Sequence, residues 1–444
     1  MTSLENKTVT ILGASLGGLI AAAELRSRGI QVRIIEKSKS IGGLYAKTET
    51  PFGVQEIGMH VVYASEAQLA HVSSIFGRDS FEVLSGVEVD LGASANFGQL
   101  SLNSHYPNLL NHPKRDLILN QILASRITRP NSDARSAAID FFGSIAADEI
   151  ICPILKKLWQ MDASELTDKA LHCFFDLRRL IVCNKEDADK LKSDSRLDEV
   201  IANPIQMKPK GEIFGGRFGI YFKNHIGGLD QSAREWARRV GIEMEFGQQI
   251  EWKENRLEIN GEPIQKSTHG CIFALPMHAL LGSTDSLDKI DLSIYYIQLE
   301  KEITPYLPVY YILCHDSNLA SSRIVHYNGY RKKIPADSAN VIAIEALHRI
   351  GQFPMEEDIA KELSMLVPQA IVKNTYRFPK SLTLPRPSLK NKKVLDEFER
   401  KIRQSFGESP VYFTGMRTDQ GMFFSHHTIG AAYESALDCI KRLI

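Results

Sequence analysis

The feature that most constrains this chain lies near its start. Thr8-Val9-Thr10-Ile11-Leu12 is short, β-branched and apolar, and it runs directly into Gly13-Ala14-Ser15-Leu16-Gly17-Gly18. Leu19, Ala22, Ala23 and Leu25 then recur at helical spacing, Gly29 stops the helix, and Gln31 to Ile35 forms a second strand ending on Glu36. This is a strand, tight turn, helix and strand, and its residue types match a dinucleotide diphosphate site. Gly13 makes the turn, a small residue at 15 lets the diphosphate approach the backbone, and Gly18 allows close helix–strand packing. The first amides of the helix, at Leu16 and Gly17, then face the phosphates. Glu36, 23 residues after Gly13, is placed to accept hydrogen bonds from ribose hydroxyls and to repel a 2′-phosphate, which disfavours NADP. Ser15 stands where the common pattern has glycine, and its hydroxyl is expected to crowd the phosphate or donate to it.

At 444 residues with 43% apolar content, the chain is long enough for two cores. Lysine plus arginine equals aspartate plus glutamate at 53 each, so no global field draws it to nucleic acid or an anionic membrane. The expected partner is a small-molecule substrate, and the oligomeric state is left open. Met1 to Lys7 lacks the basic region and cleavage site of a signal peptide, and no apolar run reaches the ~20 residues needed to span a bilayer, so a soluble, cytoplasmic protein is expected. The six cysteines are scattered without a CxxC pair and read as reduced, mostly buried thiols, with no metal site. The Asn6-Lys7-Thr8 sequon reads as incidental.

Further motifs narrow the ligand. After Glu36 and Lys37, Gly42-Gly43-Leu44 resembles the second FAD motif of the amine oxidases and protoporphyrinogen oxidases, and of their relatives the UDP-galactopyranose mutases. Phe52 to His60 is similar to the stretch that this superfamily leads toward the flavin, closing on Gly58-Met59-His60. Ile226-Gly227-Gly228-Leu229 with the strand-like run Glu243 to Ile250 resembles the segment that backs onto adenine, and Gly270 to Pro276 resembles the exit from the cofactor domain, with Ala274 near the cofactor.

The C-terminal match is a strand, Val411 to Gly415, followed by a helix opening at Thr428-Ile429-Gly430-Ala431-Ala432. Resemblance places that helix's N-terminus at the flavin pyrimidine, where its dipole would stabilise a reduced, anionic ring. Where the family has an acid after the glycine, this chain has Met416 and Arg417, which leaves the ribityl contacts altered and Arg417 as a reach toward the pyrophosphate.

The resemblance implies an α/β fold: a Rossmann-like FAD-binding domain in three segments, 1–90, 222–290 and 404–444, with an inserted α+β substrate domain, 91–221 and 291–403. The first insertion reads as helical over Ala137 to Leu158, and Phe142 to Leu166 is similar to a substrate-domain signature of protoporphyrinogen oxidase-like proteins and, in looser form, of UDP-galactopyranose mutases, so it does not separate the two. Asn184 to Glu199 is dominated by charge. The second insertion alternates strands such as Ile294 to Leu299 and Leu307 to Leu313 with turns, followed by a helix from Glu356 to Leu366.

His60 is the leading candidate for catalysis, as a hydrogen-bonding or proton-relaying imidazole at the flavin. Arg377, in Tyr376-Arg377-Phe378-Pro379, is the candidate clamp for a substrate carboxylate or phosphate, set against the commoner solvated arginine. Ser425-His426-His427 reads as a loop before the last helix and lacks a third ligand for a metal. Tyr295, Tyr296, Tyr310 and Tyr311 read first as cross-strand packing and second as a cavity wall. The leading function is an FAD-dependent oxidoreductase that takes hydride from a small organic substrate, with oxygen or another acceptor completing the cycle. The alternative is a mutase-like isomerase that uses reduced FAD on a nucleotide sugar without net oxidation.

Overall fold

The glycine turn at residues 13–18 connects the first strand and helix of a parallel sheet. The computed structural model describes residues 6–45, 47–84, 92–102, 104–125, 133–205, 218–223, 226–264, 269–281, 287–330 and 340–444. Apart from the helices Glu66–Phe76 and Arg115–Ala124, three small antiparallel sheets and shorter elements, the chain runs β1 (Thr8–Leu12), α1 (Leu16–Ser27), β2 (Gln31–Ile35), β3 (Gly92–Asn96), β4 (Gln99–Ser101), α2 (Ala134–Phe142), α3 (Cys152–Trp159) and α4 (Ile226–Val240). It continues through β5 (Glu243–Glu245), β6 (Gly270–Phe273), β7 (Lys289–Leu299), β8 (Tyr311–Cys314), β9 (Arg323–His326), β10 (Val341–His348), α5 (Glu356–Leu366), β11 (Val372–Arg377), β12 (Leu382–Pro385), α6 (Leu389–Phe406), β13 (Val411–Phe413) and α7 (Ser425–Leu443).

The parallel sheet has the order β5-β2-β1-β6-β13, so three stretches far apart in sequence complete one layer. Its strands are apolar because they are covered on both faces. Every residue of α1 from Leu16 to Leu25 is buried, since the helix lies between this sheet and α7. That packing needs glycine. A Cβ on Gly18 would lie 2.3 Å from the Gly13 carbonyl oxygen and 3.1 Å from Ala274 Cβ, and one on Gly17 would lie 3.1 Å from the Thr428 carbonyl oxygen of α7.

A second, mixed sheet of eight strands has the order β11-β7-β10-β9-β8-β3-β4, with β12 also paired to β7. One face packs with α5 around Tyr295, Ile297 and Ile344. The other face, carrying Ile294, Tyr296, Leu313 and Val325, packs against the helical insertion and the loop from Phe52 to Val61.

Several expected elements differ in detail. The helix read over 137–158 is interrupted: α2 ends at Gly143, whose φ of +84° is a left-handed value, and a short π-helical turn, Ala147–Ile151, precedes α3. Pro153 sits in the first turn of α3, where a missing N–H costs little. The run 243–250 is not one strand. β5 joins the parallel sheet, while Ile250 begins a separate antiparallel strand, Ile250–Lys253, and packs beside Leu12 and Ile35. Of Leu307 to Leu313, only the end is strand, because β8 begins at Tyr311. The charged stretch forms two short helices, Lys185–Leu191 and Ser195–Val200.

Five cysteines are buried and Cys152 is half-buried, all as free thiols. Among the described residues no helix is long and apolar enough to cross a membrane.

Candidate functional site

The turn between β1 and α1 is built around Glu36. Ala14 N–H donates to its Oε2 at 2.7 Å and Ser38 N–H donates to its Oε1 at 2.8 Å, so the carboxylate is fixed where β2 ends and keeps further lone pairs for a ligand. Gly13 has φ +105° and packs against the Ala274–Leu275 backbone. Ser15 differs from expectation. Its hydroxyl accepts from Gly18 N–H at 3.2 Å as the N-cap of α1 and donates to the Ala274 carbonyl at 3.2 Å, so it serves the helix end.

Gly42 and Gly43 both adopt left-handed φ, +103° and +55°, and a Cβ on Gly43 would meet nothing within 4 Å. Beside Gly42 lies a small apolar pocket of about 20 Å³ between Leu16, Leu19, Tyr45, Phe222 and Leu229. Lys37 is exposed, and the side chain of Leu44 lies outside the described residues. Across the turn, Gly430 also opens on free space, whereas Ile429 and Ala432 are fully buried and belong to the α1–α7 seam rather than lining a ligand.

Four segments converge near the start of α7. Tyr45 hydrogen-bonds Ser425, and burial pushes its phenol up while that bond opposes the shift. The half-buried His60 ring lies 5.0 Å from Tyr45. Phe424 is the N-cap residue of α7, and His426 stacks on it at 5.6 Å and meets the edge of Tyr63 at 5.6 Å. Ser425, His426 and His427 therefore form the first turn of α7, not a preceding loop. Among the described residues no cluster of three His, Cys, Asp or Glu side chains is placed to hold a metal ion.

The fourth segment comes from the mixed sheet and was not singled out from sequence. Arg323 on β9 lies directly opposite Glu345 on β10 and binds it in a fork, Nε to Oε2 at 3.0 Å and Nη2 to Oε1 at 2.8 Å. The guanidinium lies 5.3 Å from the Phe174 ring and 5.5 Å from the Phe424 ring. A signal for the pair exists: a lone acid in Val341-Ile-Ala-Ile-Glu345-Ala-Leu and a lone base in an apolar strand need each other. Glu345 also reaches the loop of His60, accepting from Met59 N–H at 3.3 Å. Tyrosines hold the same loop. Tyr296 and Tyr327 donate to the Glu56 carbonyl at 2.8 and 2.9 Å, and Tyr330 donates to the Glu56 carboxylate at 2.9 Å.

The other sequence candidates fall elsewhere. Arg377 lies opposite Tyr295, on the face turned to α5, and its guanidinium stacks on Phe353 at 3.7 Å. Its neighbour Tyr376, opposite Tyr296, is the residue on the face toward the loop, with Phe52 6.4 Å away. Arg417 is buried among Asp419, Asp396 and Glu399 at 2.7, 2.8 and 3.1 Å, so its charge is spent on protein carboxylates and not on a pyrophosphate. Met416 is partly buried against the core of the mixed-sheet side. Gly415 is required by packing, since a Cβ there would lie 1.9 Å from the Leu275 carbonyl oxygen.

Together these features define an α/β protein with a glycine-turn dinucleotide fold joined to a mixed sheet, with polar side chains gathered where the two meet. The family of NAD(P)-binding Rossmann-like domains matches residues 11–78. Reduced UDP-galactopyranose mutase superposes with a TM-score of 0.67 at 15% identity, covering 99% of this chain and 96% of that one. A protein described as a protoporphyrinogen oxidase from Exiguobacterium sp. 255-15 gives 0.59 at 13% identity, over 98% and 99%. Putrescine oxidase bound to putrescine gives 0.56 at 15% identity, also over 98% and 99%. No curated protein matches the sequence. The architecture expected from the motifs is thus the fold of this chain, shared along its length with that mutase and those oxidases.

Proposed function

We propose that the chain is an FAD-dependent oxidoreductase acting on a small organic substrate in the cytoplasm, with residues 1–90, 222–290 and 404–444 as the cofactor domain and the remainder as the substrate domain. The observation that carries this reading is the convergence of Tyr45, His60 and the first turn of α7 beside the Gly13–Gly18 turn. The residues present fit FAD. The fixed carboxylate of Glu36 suits ribose hydroxyls, the first amides of α1 suit a diphosphate, and the open space at Gly43 and Gly430 leaves room along both sides. When bound, FAD would supply the two-electron acceptor. The chain's own part is to orient the substrate and fix charge. The α7 N-terminus presents amides and a positive dipole end, His60 can hold or move a proton, and the loop bearing it is held by Glu345 and three tyrosines.

The second reading, a mutase-like isomerase acting on a nucleotide sugar, is supported by the likeness to reduced UDP-galactopyranose mutase along 99% of this chain, with a TM-score of 0.67. One experiment separates the two. The visible spectrum of purified protein is recorded, and candidate amines, porphyrinogens and UDP-sugars are then added aerobically while peroxide is measured. Substrate-driven bleaching with peroxide supports the oxidoreductase. Turnover only after dithionite reduction, with an isomerised sugar and no peroxide, supports the mutase. Colourless protein that FAD cannot reconstitute removes both.

A further inference from the structure

At the edge of the mixed sheet, away from the α7 end, β3 and β4 are joined by the two-residue turn Phe97-Gly98. Such a turn requires left-handed backbone at its central residues and favours Asn-Gly. Here a phenylalanine takes the first position at φ +51°, a conformation that a bulky side chain rarely adopts, and the residue is 50% exposed. Backbone strain combined with an exposed aromatic ring asks for a functional account.

Phe97 borders a cleft of about 270 Å³ whose other walls are neutral and polar. Asn108 is fixed on three sides: its Nδ2 donates to Ser101 Oγ at 3.0 Å, its Oδ1 accepts from Leu110 N–H at 3.0 Å, and its carbonyl accepts from Asn96 Nδ2 at 3.3 Å. Asn111 Nδ2 donates to Gln99 Oε1 at 3.3 Å. These bonds fix one end of each amide, and Asn96, Gln99 and Asn111 line the cleft, where amide groups can both donate and accept. His112 Nδ1 accepts from Lys114 N–H at 3.2 Å, which puts the neutral ring's proton on Nε2 as a further donor.

The geometry points to a carbohydrate-binding subsite that takes one uncharged pyranose unit, with its C–H face on Phe97 and its hydroxyls on the amides of Asn96, Gln99 and Asn111. Among the described residues lining the cleft there is no lysine, arginine, aspartate or glutamate, and the Asp316 carboxylate near the turn is already taken by the Gly98 N–H at 2.9 Å, so a charged ligand finds no counter-charge in these walls. Amides that both donate and accept match hydroxyls, which do the same. The Phe97 and His112 rings are tilted by 42° with centroids 5.3 Å apart, so they pack on each other and leave one free face of Phe97 for a ligand ring, with no slot to sandwich a flat nucleobase. The volume lies at the small end of ligand cavities and suits a single ring. This site is independent of the reaction proposed above.

The test uses the full chain and saturation-transfer NMR with methyl α-D-galactopyranoside, methyl α-D-glucopyranoside and, as a charged control, methyl glucuronate. Binding of at least one neutral glycoside is expected, with glucuronate weaker. Phe97→Asn should weaken binding about tenfold and, because asparagine suits the turn, raise the melting temperature. Asn111→Ala should weaken binding with the melting temperature unchanged. If neither neutral glycoside binds, or if both variants bind as the parent does, the proposal is overturned.

Discussion

Glu345 Oε1 accepts the Met59 N–H at 3.3 Å and stands 2.6 Å from where a Cβ on Gly58 would be, so one carboxylate both holds the His60 loop and fills the space its glycine leaves. Because Arg323 binds that carboxylate and Arg323 and Glu345 are only 10% and 2% exposed, the loop, β9 and β10 form one unit. Glu345→Ala would leave the guanidinium uncompensated and should cost about 3–5 kcal/mol. Replacing both members, as in Arg323→Met with Glu345→Leu, should cost less than the single change. Urea denaturation of the three proteins checks this. Equal losses for single and double variants would show that the pair is not coupled.

Glycine substitutions should sort by space. Gly18→Ala, 2.3 Å from a backbone oxygen, should abolish the folded cofactor turn, and Gly17→Ala, 3.1 Å from the Thr428 oxygen, should weaken it. Gly430→Ala enters open space inside α7 and should raise apoprotein stability by about 0.5–1 kcal/mol through helix propensity. If FAD occupies that space, the same variant retains less flavin. Melting curves and the 450 nm band of the purified proteins read the two effects separately.

Acid sensitivity should come from imidazoles that the fold keeps neutral. Burial lowers His172 and His278 from 6.5 to about 4 each, with neighbouring cations adding to the effect. The unfolded chain takes up these protons below 6.5 and the folded chain does not until about 4, so stability is flat above 6.5 and falls as pH drops through that window. The expected slope is about 1.4 kcal/mol per pH unit for each imidazole. His278→Gln should remove one imidazole's share of the slope between pH 6.5 and 5, while His172, His315 and His326, all lowered by burial, keep theirs. An unchanged acid limb would reject the assignment.

Arg417→Met should destabilise the protein by about 3–5 kcal/mol, because Asp419 at 0% exposure loses its counter-charge. Bound flavin should keep its spectrum. A spectral change with little loss of stability would return Arg417 to the cofactor.

The β1–α1 turn was legible because its signals are local: glycines at fixed offsets, helical spacing and an acid at the end of β2. Arg377 was not, because strand residues alternate faces and only the pairing Tyr295 with Arg377 decides which face is which. A one-residue slip moves the choice to Tyr376. Arg417 has the same lesson from farther away, since Asp396 and Glu399 reach it from α6. Ser15 carried a second role that the glycine pattern hid, because a serine before a helix is also an N-cap, and here its hydroxyl caps α1. For Arg323 and Glu345 each half was visible as a charge in an apolar strand, but only antiparallel register joins them.

The packing of Gly17 against Thr428 makes the glycine turn a shared structure, because the two residues it joins stand at opposite ends of the described chain. A chain truncated before Ser425 carries half of a cradle. If FAD is the ligand, such a chain is expected to be colourless however well its first strands have folded.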